Sequence, residues 1–347
     1  MMRALLLLPG LVLCSCSTVR FYSQALGGQA EILQKARPVA EVLADPKSKP
    51  LLKQKLNTVA DIRAYAETAV HLPAKGQYER YANLGRRHVV WVVFAAPEFS
   101  VEARKWWYPL VGSLSYRGFF KERLAEQEAA GLRAEGLDVY VGGVDAYSTL
   151  GFLRDPLLNT FIGRSDAELA ELIFHELTHQ RLYLSGDTDF NEAFASAVGQ
   201  EGARRWLRAQ GRTRELAQYE KEMRIEREFV ALVLRTREEL KQVYSRTYRS
   251  VEIERAAKAA AFVHMRQRAD ALDRRYGGSL KIERWFQKPV NNARLSTLAT
   301  YYEMLPGFEA LLKAHGGDLE SFFKAVEAMR GLGKEARRQK ILSLTRA

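Results

Sequence analysis

The chain has 347 residues, enough for one large domain or two closely joined ones. Its composition, 47% hydrophobic and 27% charged with 10 Pro and 24 Gly, excludes a collagen-like, a low-complexity and a polytopic membrane protein. The 53 Lys and Arg outnumber the 41 Asp and Glu for a net charge of +12, which by itself names no partner; the two cysteines, Cys14 and Cys16, exclude a disulfide framework and leave no thiolate further along to hold zinc.

The first fifteen residues read as a leader. Arg3 is a short positive segment, and Ala4 to Leu13 is an almost unbroken apolar run. As a helix that run would span only ~15 Å, about half a bilayer core, so it reads as a signal segment and not as a membrane span. Leu13-Cys14-Ser15-Cys16 resembles the lipobox of bacterial lipoproteins, with a small residue before the acceptor, which makes Cys16 the expected lipidated first residue of the mature chain. Ser17 after the acceptor, by resemblance to enterobacterial sorting rules, directs such a lipoprotein to the outer membrane, facing the periplasm.

Next, Tyr22 to Leu72 reads as helical, with Leu52, Leu56, Val59 and Ile62 at three- and four-residue spacing and prolines 38, 46, 50 and 73 as punctuation. The β-branched and aromatic run from His88 to Ala96, ended by Pro97, predicts a buried strand. Ser115 to Phe120 and Leu137 to Gly142 are two further strands, with a charged helix from Lys121 to Glu135 between them. From Asp166 onward the pattern is helical. Gly202 to Tyr276, with Phe229, Leu232, Leu234, Leu240 and Val243 at helical period, predicts a long helical hairpin; its mixed charges describe a solvated face and not a nucleic-acid surface. The last helices are expected near Leu295 to Met304, Gly307 to Ala314 and Leu319 to Met329, followed by a basic tail from Lys334.

His175-Glu176-Leu177-Thr178-His179 is an H-E-x-x-H motif. Two imidazoles four residues apart share a ligand-competent face only on a helix. Ser165 and Glu168 form a capping box at its start, Leu169, Ile173, Leu177 and Leu184 form an apolar stripe, and Gly186 is the expected stop. Zinc needs a third protein ligand and an open fourth position. The metzincin pattern is excluded, because Leu182 and Ser185 stand where that class has Gly and His. Asp189 and Glu192 repeat the capping-box spacing and open a second helix, which a tight Ser185-Gly186 turn would fold back towards the motif. That brings Glu192 to His175 and His179 as third ligand, with Asp189 and Asp187 as alternatives. Glu176 is placed to be general base and then general acid. Candidates for stabilising an oxyanion are Tyr183, Tyr147, Tyr301, Tyr302, Arg154 and Arg294, and the Leu137 to Gly142 strand is the expected peptide-binding edge.

Asn191-Glu192-Ala193-Phe194-Ala195 resembles the segment that carries the glutamate ligand of thermolysin-like gluzincins, with a shorter spacer after the second histidine. With the lipobox, the H-E-L-T-H-Q run, Tyr147 to Phe152, Gly199 to Leu207 and Asn291-Asn292-Ala293 with Tyr301-Tyr302, the chain resembles the predicted aminopeptidase family of Gram-negative lipoproteins over nearly all of its mature length. The resemblance implies one zinc ion per chain on His175, His179 and Glu192, with Glu176 as catalyst and a peptide as substrate. The expected fold is α+β and predominantly helical: a zincin-like core with a small sheet, plus the long hairpin. The expected division is a leader over 1–15, the helices, sheet and catalytic core over 16–201, and a helical region over 202–347 completing the same domain. An aminopeptidase also needs an acid for the substrate ammonium, for which Glu201, Asp145 and Asp155 are candidates. The competing functions are a helical envelope scaffold without catalysis and a zinc peptidase acting on peptidoglycan stem peptides. Oligomeric state and side-chain preference have no signature in the chain.

Overall fold

Why the run around Trp91 is apolar on both sides is visible in its neighbours. The computed structural model describes residues 16–108, 112–149, 153–279 and 282–345; the leader with Cys14, and Leu150 to Phe152 of the family-like stretch, lie outside the described residues. Strand β3 (Val90–Pro97) is the centre of an antiparallel sheet with β7 (Leu137–Val144) and β6 (Arg117–Phe119), in the order β6-β3-β7. Val93 and Ala95 face helix α4 (Glu122–Ala134) through Ala125, Ala129 and Leu132, while Phe94 and Ala96 face Ala293. Both faces are covered, so the residues do not alternate in polarity as a half-exposed strand would.

Before the sheet lie α1 (Cys16–Lys35), the short β1 (Ala36–Pro38), α2 (Val39–Ala44), α3 (Pro50–Thr68) and β2 (Arg80–Ala82). With β8 (Leu157–Leu158), β1 and β2 make a second sheet, antiparallel for β1-β2 and parallel for β2-β8. The strand expected over Ser115 to Phe120 is shorter than its sequence suggests. Ser115 and Tyr116 instead turn the chain between β6 and a hairpin of β4 (Trp106–Tyr108) and β5 (Gly112–Leu114), elements too short to show a period.

The two edges of the β6-β3-β7 sheet are occupied. On β7, the backbone oxygens of Val139 and Val141 accept from Asn291 and Lys288; on β6, the Gly118 oxygen and the Phe120 N–H are bonded by Gln24. The β7 edge expected to receive a peptide is thus already capped by side chains.

Helix α5 (Asp166–Arg181) stops five residues before Gly186, because Leu182 turns extended (φ −147°, ψ 124°). The turn to α6 (Thr188–Ala209) passes through Gly186 at φ +79°, a conformation that favours glycine. The expected Asp189–Glu192 box does not form. Asp187 is the N-terminal flanking residue, and its buried carboxylate pairs with Arg337 at 2.8 Å and Lys334 at 3.3 Å. Those partners belong to α13 (Lys334–Ser343), a helix where a basic tail was expected; Arg337 and Ile341 are buried. An uncompensated carboxylate at that depth would be costly, which ties α13 to the turn beside the motif.

Helix α6 runs unbroken across residues 201 and 202. The expected hairpin is α7 (Thr213–Tyr244) and α8 (Val251–Arg275), closed by an inner stripe of Val233, Leu240, Met265, Ala269 and Leu272. Helices α9 (Ile282–Phe286), α10 (Asn292–Tyr302), α11 (Leu305–Ala314) and α12 (Leu319–Glu327) follow, and a 3₁₀ turn (Ala328–Gly331) leads into α13. Helices predominate over the small sheets. Among the described residues no helix is long and apolar enough to cross a membrane.

Candidate metal centre

Local chemistry starts α5 where the sequence expects. Ser165 Oγ accepts the Glu168 N–H, and the Glu168 carboxylate accepts the Ser165 N–H at 2.9 Å. Ala167, Leu169, Ala170, Ile173, Phe174 and Leu177 bury one side of the helix, leaving Glu171, His175 and His179 as a neighbouring row at four-residue spacing. That row meets α6 at very close range. A Cβ on Gly199 would lie 2.8 Å from the Glu171 carbonyl oxygen and 3.2 Å from His175 Cβ, and one on Gly202 would lie 2.5 Å from the Phe174 ring. Glycine at both positions lets the two backbones approach.

The fold-back delivers Glu192 to the histidines. Its carboxylate oxygens lie 3.2 Å from His175 Nε2 and 3.8 Å from His179 Nε2, and the two Nε2 atoms are 3.3 Å apart. Ligand atoms ~2.0–2.1 Å from a tetrahedral ion are separated by about 3.3–3.4 Å; the His175–His179 and His175–Glu192 edges match that spacing, and the His179–Glu192 edge is longer. Among the described residues these three form the group able to hold a metal, with ligand atoms all within 4.8 Å. Asp187 and Asp189, the alternative ligands, face Arg337 and Lys334 instead.

The electrostatics suit that donor set. Burial pushes His179 down to about 4. Burial also disfavours the charged form of His175, but the Glu192 carboxylate outweighs it and raises the ring; burial of Glu192 is outweighed in turn by His179 and His175, which hold it ionised. Glu176, next in the chain, is pushed up to about 7, first by burial and further by the charges of Glu192 and Asp155, against the pull of His175. The Ser148 hydroxyl donates to Asp155 at 3.1 Å and lies beside Glu176, and Asp155 also accepts from the Thr149 N–H and hydroxyl.

Three tyrosines surround these acids. Tyr301 stacks on His175 with ring centroids 6.5 Å apart, and Tyr183 stands edge-on to His179 at 6.1 Å. The third, Tyr116, was not singled out from the sequence. It comes from the turn after β5, rests on Phe94, and has its hydroxyl raised first by burial and then by the charges of Glu192 and Glu176. The nearby hairpin is pressed against the α5–α6 turn, since a Cβ on Gly112 would meet Gly186. No local signal marks Tyr116; only its place in the turn between that hairpin and β6 brings it near Glu192 and Glu176.

Other expected site residues go elsewhere. Tyr302 donates to Glu226 at 2.6 Å, and Tyr147 packs on Phe120. Arg154 lies against Gly76, and Arg294 is held by the carbonyls of Trp285 and Lys288. Of the proposed ammonium anchors, Glu201 pairs with Arg205 at 2.8 Å and Asp145 with His88 at 2.6 Å; Asp155 alone lies near Glu176.

The model of the family described as "Putative aminopeptidase" matches residues 20–342, and the chain belongs to that family. No curated protein and no solved structure matches the chain.

Proposed function

We propose that the chain is a zinc-dependent peptidase, an aminopeptidase in the direction its family description indicates. The observation that carries this reading is the convergence of His175, His179 and Glu192 within 4.8 Å, with Glu176 alongside. The three residues would hold zinc in a zincin-like arrangement, leaving a position for water. When bound there, zinc lowers the pKa of water and polarises a carbonyl. Glu176 takes the proton from the attacking water as the C–O bond forms, and passes it to the nitrogen as the peptide C–N bond breaks. Its position near 7 suits both halves of that transfer, and Ser148 orients its carboxyl. Tyr301 supplies the hydrogen bond to the developing oxyanion. Its hydroxyl is held protonated chiefly by the charge of Glu192 and by burial, with Tyr116 beside it.

We further propose that a lipid on Cys16 holds the protein at the outer membrane, facing the periplasm. The test of the chemistry is to measure metal and hydrolysis together. The purified protein should carry about one zinc per chain, and Glu176→Gln should keep the metal while peptide hydrolysis falls by about 10²–10⁴-fold. Equal turnover by both proteins would remove Glu176 from the mechanism; a metal-free, inactive protein would favour the scaffold.

A further inference from the structure

Helix α1 has two opposite faces: one packs on the domain, and the other carries side chains that are exposed among the described residues. Its inner face is fixed at four points. Phe21 packs edge-on against Phe119 with centroids 5.5 Å apart, and Gln24 bonds the Phe120 N–H at 2.9 Å. Gly28 is pressed on the Phe120 ring, and Glu31 forms an ion pair with Arg86 at 2.7 Å. The helix therefore cannot roll to hide its other side. That side presents Tyr22, Leu26, Ala30 and Leu33, spaced i, i+4, i+8 and i+11, within an arc of about 80°. Leu26 is 73% exposed, Leu33 43% and Tyr22 39%, and Ala30 is exposed.

Scattered exposed apolar residues need no explanation, but these are aligned. The same face adds Ser23, Gly27, Gln34 and half-buried Gln29, and the one acid between Phe21 and Gln34 is Glu31, already bound to Lys35 and Arg86. Cys16, the residue proposed above to carry the lipid, opens this same helix. Exposed cations flank the helix: Arg87 follows the partner of Glu31, and Lys121 and Arg123 follow Phe120, with Glu122 between them.

The geometry points to a phospholipid surface as the occupant of this face: α1 lies in the bilayer interface along Tyr22, Leu26, Ala30 and Leu33, holding the domain against the membrane instead of leaving it free on a tether. This rests on the membrane anchorage proposed above. A second copy is the poorer occupant. One stripe of four partly exposed side chains offers far less than the ~800 Å² per partner of a stable interface. A chain tethered at its amino end also meets lipid at high effective concentration before it meets another protein.

The experiment uses the full chain reconstituted in phosphatidylcholine–phosphatidylglycerol vesicles, with a tryptophan placed by Leu26→Trp, Leu33→Trp or, as control, Val263→Trp. Val263 is exposed on α8, which pairs with Asp138 of β7 and so lies beyond the sheet edge opposite α1. Replacing the lipid with its bromine-bearing form should quench Leu26→Trp and Leu33→Trp beyond the unaltered protein, and leave Val263→Trp at that background. Vesicle-bound protein with equal quenching at all three positions overturns the interface while leaving the anchor intact. Shielding of positions 26 and 33 together with cross-linked dimers assigns the face to a second copy and overturns it as well. Failure of the full chain to bind vesicles overturns both anchor and interface. None of these outcomes touches the peptidase reading, which is measured on soluble peptide.

Discussion

The helix pairs α5–α6 and α7–α8 are joined to one another in the chain but built on different terms. In α5–α6, Phe174, Leu177, Ala193, Phe194 and Val198 are all but inaccessible, and glycines on α6 bring the two backbones together. In α7–α8, a narrow inner stripe is buried and much of the outer surface is Arg, Lys and Glu in pairs such as Arg268–Glu239 and Arg266–Asp270. The first pair brings side-chain atoms of His175, His179 and Glu192 within 4.8 Å of one another, which requires support from every side. The second needs only enough burial to stay folded. Precision at the site is thus a property of packing density around α5–α6, and the hairpin is free of that demand.

The contrast is broken most severely at the carboxylate that crosses between α5 and α6. Glu192→Ala should abolish hydrolysis and weaken zinc binding by more than the roughly 100-fold typical of losing an outer-shell partner, as read by metal competition. The hairpin should keep its helical signal. On the other side, Met265→Ala removes a fully buried side chain from α7–α8 and should cost about 2–5 kcal/mol in unfolding experiments. Zinc content and turnover per folded molecule should be unchanged; a parallel loss of metal would show that the two pairs are one cooperative unit.

A subtler test concerns the row behind the histidines. Glu171 is pushed up to about 7 by burial, against a 2.8 Å hydrogen bond from the Tyr219 hydroxyl. Its folded form favours the protonated state, so it is penalised as pH rises from about 4.5 to about 7 and remains so above that. Glu171→Gln, neutral throughout, should gain stability over the unaltered protein across that window, by up to about 3 kcal/mol at pH 8. A constant gap between the two proteins from pH 5 to 8 would place the carboxyl in water. The smallest effect is expected at Arg268→Ala, where a half-exposed ion pair of 2.6 Å on the hairpin is lost, at less than about 1 kcal/mol.

Much of this was legible along the chain, and the legible parts share a cause. The capping box at Ser165, the spacing of His175 and His179, and the apolar run of β3 are local: they depend on hydrogen bonds three or four residues apart or on periodicity within one element. Expectations failed where a distant group competes. Asp189 and Glu192 have the spacing of a box, yet Glu192 is drawn to the histidines and the start of α6 is set by Asp187 with Arg337, 150 positions along. The β7 edge reads as open to a peptide until Lys288 and Asn291 arrive from beyond the hairpin.

By itself, then, the amino-acid sequence determined which helix carries the histidines, where that helix begins, and which acid follows the first ligand, because backbone geometry alone sets those relations. Only the tertiary structure decided that Glu192 completes the triad, that Tyr116 and Tyr301 stand around it, and that α13 locks the intervening turn. Those are distances between separate elements, and they follow from how closely α5, α6, α10 and the β4–β5 hairpin can pack, a quantity that no single stretch of chain contains.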